Sequence, residues 1–535
     1  MKKFHLVKVV CFSFCLAGTL LLGGCSHEKQ RLTLVGTADI QGFVEPSMHT
    51  YECNGTKKRL LSGGIAKIAS VIEKAKEENP HGTFVLSSGD DLLGRYFHMF
   101  KGEAIYRLMS QSGYTLYAPG NHEFDKGTAT FSHALEYAAF ETLCSDLSIK
   151  DTSLEGRCLP YKIIEAAGTK VGFFSLMTEQ FSFITSAGKV KVAERNVDTA
   201  RKMVATLRAK RCNVIIAITH IGLPQDRVLA QKVKGIDVIF GGHSHKETHA
   251  PVRVNDTLIV NGGEKGAYAL ELKLPLDATH HIEKASIDYR LIPLVDSVPA
   301  NREVERLLEN YKAQLPATIV LGTTTVPWDL QSDTLRRGES NVINLINDLL
   351  WQQFGVDVVM NNAGAFRGEE VYPPGDITDK MLHEIDAFSN NAYRMVLSGE
   401  YIHEVLEHSA TRYDKGGLIH CSGLRYTIDL SKQAQEIEQK ADGSWYIATP
   451  GERIGQVTIV KKDGTRVPLD RHRNYTVLSN SYLVTHAGDG YYWFGKYGMQ
   501  QKNTYTTFYS IMASYLEKYK VMNPKPLDGR LKIIP

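Results

Sequence analysis

Apolar positions in the first half of the chain follow two alternating rhythms. The run RLTLVG (31–36) is short and β-rich and reads as a strand, after which Ile65, Ile68, Ala69, Ile72 and Ala75 recur at helical spacing. TFVLSSGDD (83–91) reads as the next strand, a helix passes through Ile105 and Leu108, and TLYAPGNHE (115–123) follows. KVGFFSLMT, a helix over Ala200 to Ala209, NVIIAITH, a further helix and DVIFGGHSH continue the pattern to about residue 245. Such β-rich runs separated by amphipathic helices predict a layered α/β sheet, which LIVNGGEKGAYALELKLPL (258–276) closes with more strands. Residues 301–314 place Val304, Leu307, Leu308 and Tyr311 on one side of a connecting helix. From about residue 318 a second α/β region has its own helices (343–354, 399–409) and its own strands in VDVVMNN, GLRYTIDL, QVTIVKK and NYTVLSNS. Two domains are also what 535 residues predict, since one core does not grow that large.

The first two dozen residues break the pattern. Lys2, Lys3 and Lys8 precede an uncharged run from Val9 to Gly24, too short for a membrane span and shaped like a secretory leader. It ends in LLGGC, which resembles a bacterial lipobox with Cys25 as the lipidated first residue of the mature chain. Ser26 is compatible with onward sorting to the outer membrane. Removing residues 1–24 takes three lysines and no acid from a formal charge of +3, leaving a neutral chain with no sign of a nucleic-acid partner. The composition, 43% hydrophobic and 23% charged, is that of a soluble globular protein. Cys144 and Cys158 can pair in an oxidising compartment, and no cysteines have CxxC spacing.

Five short segments hold most of the unusual polar residues of the first half: DIQG (39–42), GDD (89–91), GNHEFD (120–125), ITHIG (218–222) and GGHSH (241–245). Each follows a predicted strand, and the carboxyl ends of strands are where an α/β sheet binds its ligands. Singly, such an Asp or His is more often a turn or core residue. Together they are carboxylates, amides and imidazoles without thiolates, the donor set of Zn, Mn, Fe or Co rather than of a structural zinc. Two cations roughly 3.5–4 Å apart need a bridging carboxylate and can clamp both oxygens of a phosphoryl transfer.

The order D-x-x, GD, GNHE, H, GHxH resembles the calcineurin-like metallophosphoesterase superfamily, and within it the 5′-nucleotidase family, from about Leu32 to the C-terminus. The resemblance implies a layered α/β metallophosphoesterase domain (25–300), a linker helix (301–317) and an α/β substrate-binding domain (318–535). It implies two divalent ions, Zn or Mn first, with Fe, Co or Mg open. One would be held by Asp39, Gln41, Asp90 and His245, the other by Asp90, Asn121, His220 and His243, with Asp90 bridging. Gln41 stands where the family usually has His, so it is either a weak amide ligand or no ligand at all. His122 and Asp125 match a catalytic histidine and its orienting acid.

In the second half, RRGESNVINLINDLLW (336–351) resembles the family's entry to its second domain. NNAGAFR then places Asn362, Gly364 and Arg367 where the family grips substrate phosphate, and Arg412 matches a second arginine of that site. Asn391 sits near a base-contacting asparagine, and Asp489 matches an acid that contacts the nucleoside. Of the two rings that sandwich the base, one position is Leu418 and the other is Tyr482, with one extra residue before Asp489. Losing one ring removes stacking worth about 1–3 kcal/mol.

The resulting expectation is a lipid-anchored phosphomonoesterase of the cell envelope. It cleaves 5′-nucleotides to nucleoside and phosphate by attack of a hydroxide that two metals activate, with a His/Asp dyad. The alternatives are a nucleotide-sugar pyrophosphatase, a 2′,3′-cyclic nucleotide phosphodiesterase, or a surface nucleotide-binding lipoprotein without catalysis.

Overall fold

The computed structural model describes residues 30–535 except 54–55, 186, 369 and 441–443. The leader and Cys25 lie outside the described residues. Within the Val214–His220 strand every side chain is buried, because two different layers cover its two faces. Ile216 and Ile218 point to one layer, Ile215 and Ala217 to the other. Alternation of side chains along a strand thus turns a continuous apolar run into two packing surfaces.

Two six-stranded sheets face each other in the first half. One runs in the order 288–293, 268–275, 31–37, 83–87, 116–117, 141–142, and the other 252–254, 257–261, 238–241, 214–220, 169–177, 162–166. Leu34, Phe84, Phe173, Ile216 and Phe240 fill the space between them, with Phe84 and Phe173 edge to face at 4.9 Å. Helices Ile65–Glu78, Glu103–Ser112 and Arg302–Lys312 cover the outside of the first sheet, and Asn196–Ala209 and Leu223–Lys232 the outside of the second. The central strands of both sheets are parallel, so their carboxyl ends open on the same edge.

Residues beyond Trp328 form a separate core. Its five-stranded sheet runs 419–422, 358–362, 474–480, 392–398, 499–503 and packs against helices Asn341–Phe354, Gly399–Thr411 and Phe508–Tyr519. The Ser340 hydroxyl caps the first of these helices by accepting from Ile343 N–H, and Gly355 ends it at φ 58°. The expected connecting helix forms at Arg302–Lys312, with Asn301 as its cap. Val304, Leu308 and Tyr311 bury it in the first core, so it belongs to that half.

The hairpin Ser47–Cys53/Thr56–Ser62 is an element the apolar pattern does not announce, because Lys57, Lys58 and Arg59 interrupt it. Its Arg59 pairs with Glu370 of the other half. Cys144 and Cys158 form a disulfide with Cα atoms 5.6 Å apart, while Cys212 and Cys421 are buried thiols. No helix among the described residues is long and apolar enough to cross a membrane.

Ile216→Ala, which opens a cavity between the two sheets, is expected to destabilise the protein by about 2–5 kcal/mol. Urea unfolding followed by circular dichroism measures it. A loss below about 1 kcal/mol would mean the layers can collapse onto the gap.

Candidate active site between the two halves

The five polar segments of the first half converge where the parallel strands end. Asp39 and Gln41 follow the 31–37 strand, Asp90 the 83–87 strand and Asn121 the 116–117 strand, while His220 ends the 214–220 strand and His243 follows 238–241. Asp39, Gln41, Asp90, His243 and His245 all have positive φ, between 51° and 76°. Side chains other than glycine rarely adopt this backbone, and the strain clusters where strands turn ligand-type groups inward. Gly120 is required by close approach: a Cβ there would collide with Asp90 Oδ1 and come within 2.6 Å of His220 Cε1.

Asp90 is the hub. Its Oδ2 lies 3.0 Å from His220 Nε2 and 3.7 Å from His122 Nε2, and its Oδ1 accepts from His122 N–H at 2.8 Å. Burial alone would push its pKa up, but His122, His220 and His243 hold it below the ordinary range. His220 Nδ1 donates to Ser88 O at 2.6 Å, which turns Nε2 toward Asp90 Oδ2 and His243 Nδ1 (3.2 Å). Burial opposes protonation of His220, yet Asp90 raises its pKa to about 10, whereas burial and His220 lower His243 to about 3.

Donor atoms of Asp90, His220 and His243 lie within 4.8 Å of one another, and the buried Asn121 Oδ1 has no hydrogen-bond partner. A buried amide oxygen without a donor, lining the same cavity wall as Asp90 and His243, fits a divalent cation.

The second expected group also assembles. Asp39 is fully buried and accepts from His243 N–H at 3.1 Å; burial raises its pKa to about 7, against the pull of His245. His245 Nε2 is 3.7 Å from Asp39 Oδ1 and 2.9 Å from Gln41 Nε2. Gln41 therefore sits at this group and touches the imidazole there.

His122 Nδ1 donates to Asp125 Oδ2 at 2.6 Å, and Thr185 Oγ1 holds the other carboxylate oxygen at 3.0 Å. Its Nε2 is thereby left to face the cavity. Burial opposes protonation, but Asp90 and Asp125 raise the His122 pKa nonetheless.

A cavity of about 440 Å³ separates this edge from the second half. Asp90, Asn121, His122, Asp125, His243 and His245 line one side; Asn362, Gly364, Arg367, Arg412, Tyr482 and Asp489 line the other. Arg367 Nη2 reaches within 3.4 Å of His122 Nε2. Asn362 Nδ2 donates to Asp489 Oδ2 at 2.9 Å, and Asn480 Nδ2 holds Asn362 Oδ1 at 3.0 Å. Tyr482 OH accepts from Asp489 N–H at 3.2 Å.

Two expected residues do not reach this wall. Leu418 is fully buried in the second core, where an aliphatic side chain gains most. Asn391 pairs through its backbone with Ser481, and its neighbour Asn390 lines the cavity instead.

Several groups were not anticipated. Glu123 accepts from four backbone N–H groups, those of Asp90, Asp91, Leu92 and Gly120, at 2.6–3.0 Å and ties two site loops together. Glu264 lies 2.9 Å from His245 Nδ1, a carboxylate beside that ring. Arg336, Lys415 and Phe388 line the cavity. Glu123, inside GNHE, and Arg336, at the head of RRGESNV, carried a local signal; Glu264, Lys415 and Phe388 stand in segments with no motif.

Two family models match the chain: calcineurin-like phosphoesterase over residues 32–247 and 5′-nucleotidase, C-terminal domain, over 320–496. The chain is 27% identical to the trifunctional nucleotide phosphoesterase protein YfkN of Bacillus subtilis over 91% of its own length, and spans 34% of that relative. It is 25% identical to 5′-nucleotidase of Homo sapiens, covering 94% of this chain and 90% of that one. The solved 5′-nucleotidase precursor from Thermus thermophilus superposes with a TM-score of 0.83 at 27% identity, covering 94% of this chain and 99% of that chain.

Asp90→Asn weakens the charge that the imidazoles surround and is expected to reduce bound divalent metal, measured by plasma emission spectrometry on the purified protein, to below half the wild-type content. Unchanged metal content would show that Asp90 is not a ligand. Gln41→His is expected to tighten metal retention against a chelator by about tenfold or more if position 41 is a ligand, because imidazole binds these metals better than an amide.

Proposed function

Because the chain belongs to the 5′-nucleotidase family of calcineurin-like phosphoesterases, we propose that it hydrolyses 5′-nucleotides to nucleoside and phosphate outside the cytoplasm. The observation that carries this reading is a single cavity with carboxylate, amide and imidazole donors on one wall and Arg367, Arg412 and Asp489 on the other.

Asp39, Gln41, Asp90 and His245 would hold one divalent ion, and Asp90, Asn121, His220 and His243 the other, with Zn or Mn preferred. Such a pair supplies Lewis acidity, acidifying water and neutralising phosphoryl oxygens. Arg367 offers a planar guanidinium to the phosphate beside His122. His122, oriented by Asp125 and favoured in its protonated form, stabilises the departing oxygen and returns a proton to it. Arg412 and Asn362 act further along the substrate, Gly364 leaves room for it, and Asp489 accepts from sugar hydroxyls. Tyr482 offers one stacking face.

With Leu418 withdrawn, stacking is one-sided. That observation favours a second reading, in which a nucleotide sugar, a 2′,3′-cyclic nucleotide or another phosphate ester is preferred. AMP, UDP-glucose, 2′,3′-cyclic AMP and an aryl phosphate separate these outcomes. Nucleotide binding without turnover, in protein with full metal content, would leave a binding lipoprotein instead.

Export is supported by the leader and by the Cys144–Cys158 disulfide, which suits an oxidising compartment. Lipid attachment at Cys25 is part of the same proposal. Cys25→Ala is expected to move the protein from the membrane to the soluble fraction, and continued membrane association would remove lipidation from the proposal.

His122→Ala is expected to keep its metal and lose kcat on AMP by about 10²-fold or more. A fully active variant would end the assignment. A disulfide engineered across the two halves should abolish turnover if the halves must part to exchange substrate and product; full retained activity rejects that motion.

A further inference from the structure

One loop of the second half crosses the cavity and lays a ring against His122. It comprises residues 386–391, between helix Asp379–Ile385 and strand Ala392–Ser398. The first half grips it by the backbone: His98 Nε2 donates to Ala387 O at 2.7 Å and Lys126 Nζ to Phe388 O at 2.9 Å. At its base, Asp386 Oδ2 accepts from Tyr509 N–H at 2.8 Å, and Ser389 N–H donates back to Asp386 O at 3.2 Å. Ser389 takes φ 53°, a backbone that costs a non-glycine residue energy and that the surrounding bonds must impose.

Between these anchors the Phe388 ring is presented at a fixed angle. It stacks on the His122 imidazole with centroids 5.6 Å apart and planes 26° from parallel. The Arg367 guanidinium carbon lies 5.1 Å from the same ring's centroid, while Arg367 Nη2 is 3.4 Å from His122 Nε2. One aromatic ring therefore packs against both groups and sets their separation, and its face attracts the guanidinium. The ring also shields one face of the imidazole from water.

We propose that Phe388 is a positioning residue: carried by the second half, it holds His122 and Arg367 together in the arrangement that acts on the departing oxygen. His122 then has its full set of contacts only while the two halves are closed on each other. The inference rests on the role given to His122 above. It adds a residue that reaches the chemistry only through that imidazole and that arginine.

A positioning role predicts a dependence on the leaving group. AMP expels a poor alkoxide that needs His122, whereas p-nitrophenyl phosphate expels a phenolate that hardly does. Phe388→Ala is expected to lower kcat on AMP by about tenfold, and on p-nitrophenyl phosphate by less than about threefold. His122→Ala should show the same selectivity more strongly. Phe388→Leu keeps the apolar packing without the aromatic face and is expected to fall between wild type and Phe388→Ala, which guards against a variant that merely misfolds. Loosening the loop with His98→Ala and Lys126→Ala should reproduce the pattern with the ring intact. Equal slowing of both substrates, or a raised KM with unchanged kcat, overturns the proposal. Should His122→Ala show no selectivity, or the wild type hydrolyse neither substrate, the reading of the site falls and this inference with it.

Discussion

The Asp90 carboxylate is carried into a place from which water is excluded, and the first half of the molecule is arranged around the consequences. A buried charge is tolerated only when opposite charge and hydrogen bonds replace its hydration. Here His122, His220 and His243 surround it, and each is delivered by a different strand end. Those strands are held parallel in two facing sheets by fully buried aliphatic and aromatic side chains. The packed layers therefore hold charges together that would otherwise stay apart in water. The positive φ values at Asp39, Gln41, Asp90, His243 and His245 are the local cost of that convergence. Glu123 offsets part of it by collecting four backbone donors from two of the loops.

The other half has a core of its own and meets the first mainly through polar and aromatic contacts at the cavity. Arg59 with Glu370, His98 with Ala387, Lys126 with Phe388 and Arg367 with His122 are bonds that can be exchanged for water at modest cost. An interface of this kind suits two bodies that separate and rejoin. It also divides labour: donors for cations stand on one wall, and guanidinium groups and the Asn362–Asp489 pair on the other. The two walls face each other across one cavity.

The layered α/β organisation was legible because strand ends and helix faces follow directly from side-chain periodicity. The five polar segments were legible because each interrupts an apolar run just where a strand stops. Leu418 was harder. Its place in the chain suggested a cavity wall, but an aliphatic side chain beside a growing core turns inward, and nothing local reports which way the backbone faces. Asn390 and Asn391 are adjacent and chemically identical, so a one-residue difference in register decides which of them meets the cavity.

The sequence by itself determined the fold class, the donor groups and their order along the chain, since these depend on local periodicity and on residue chemistry. Only the tertiary structure decided that Gln41 touches His245, that Glu264 lies beside that ring, and that Phe388 lies on His122. Gln41 and His245 are 204 residues apart, and Arg367 and His122 are 245 apart. Contacts between groups so distant in sequence leave no periodic trace, because the packing of whole layers and of two separate cores sets them.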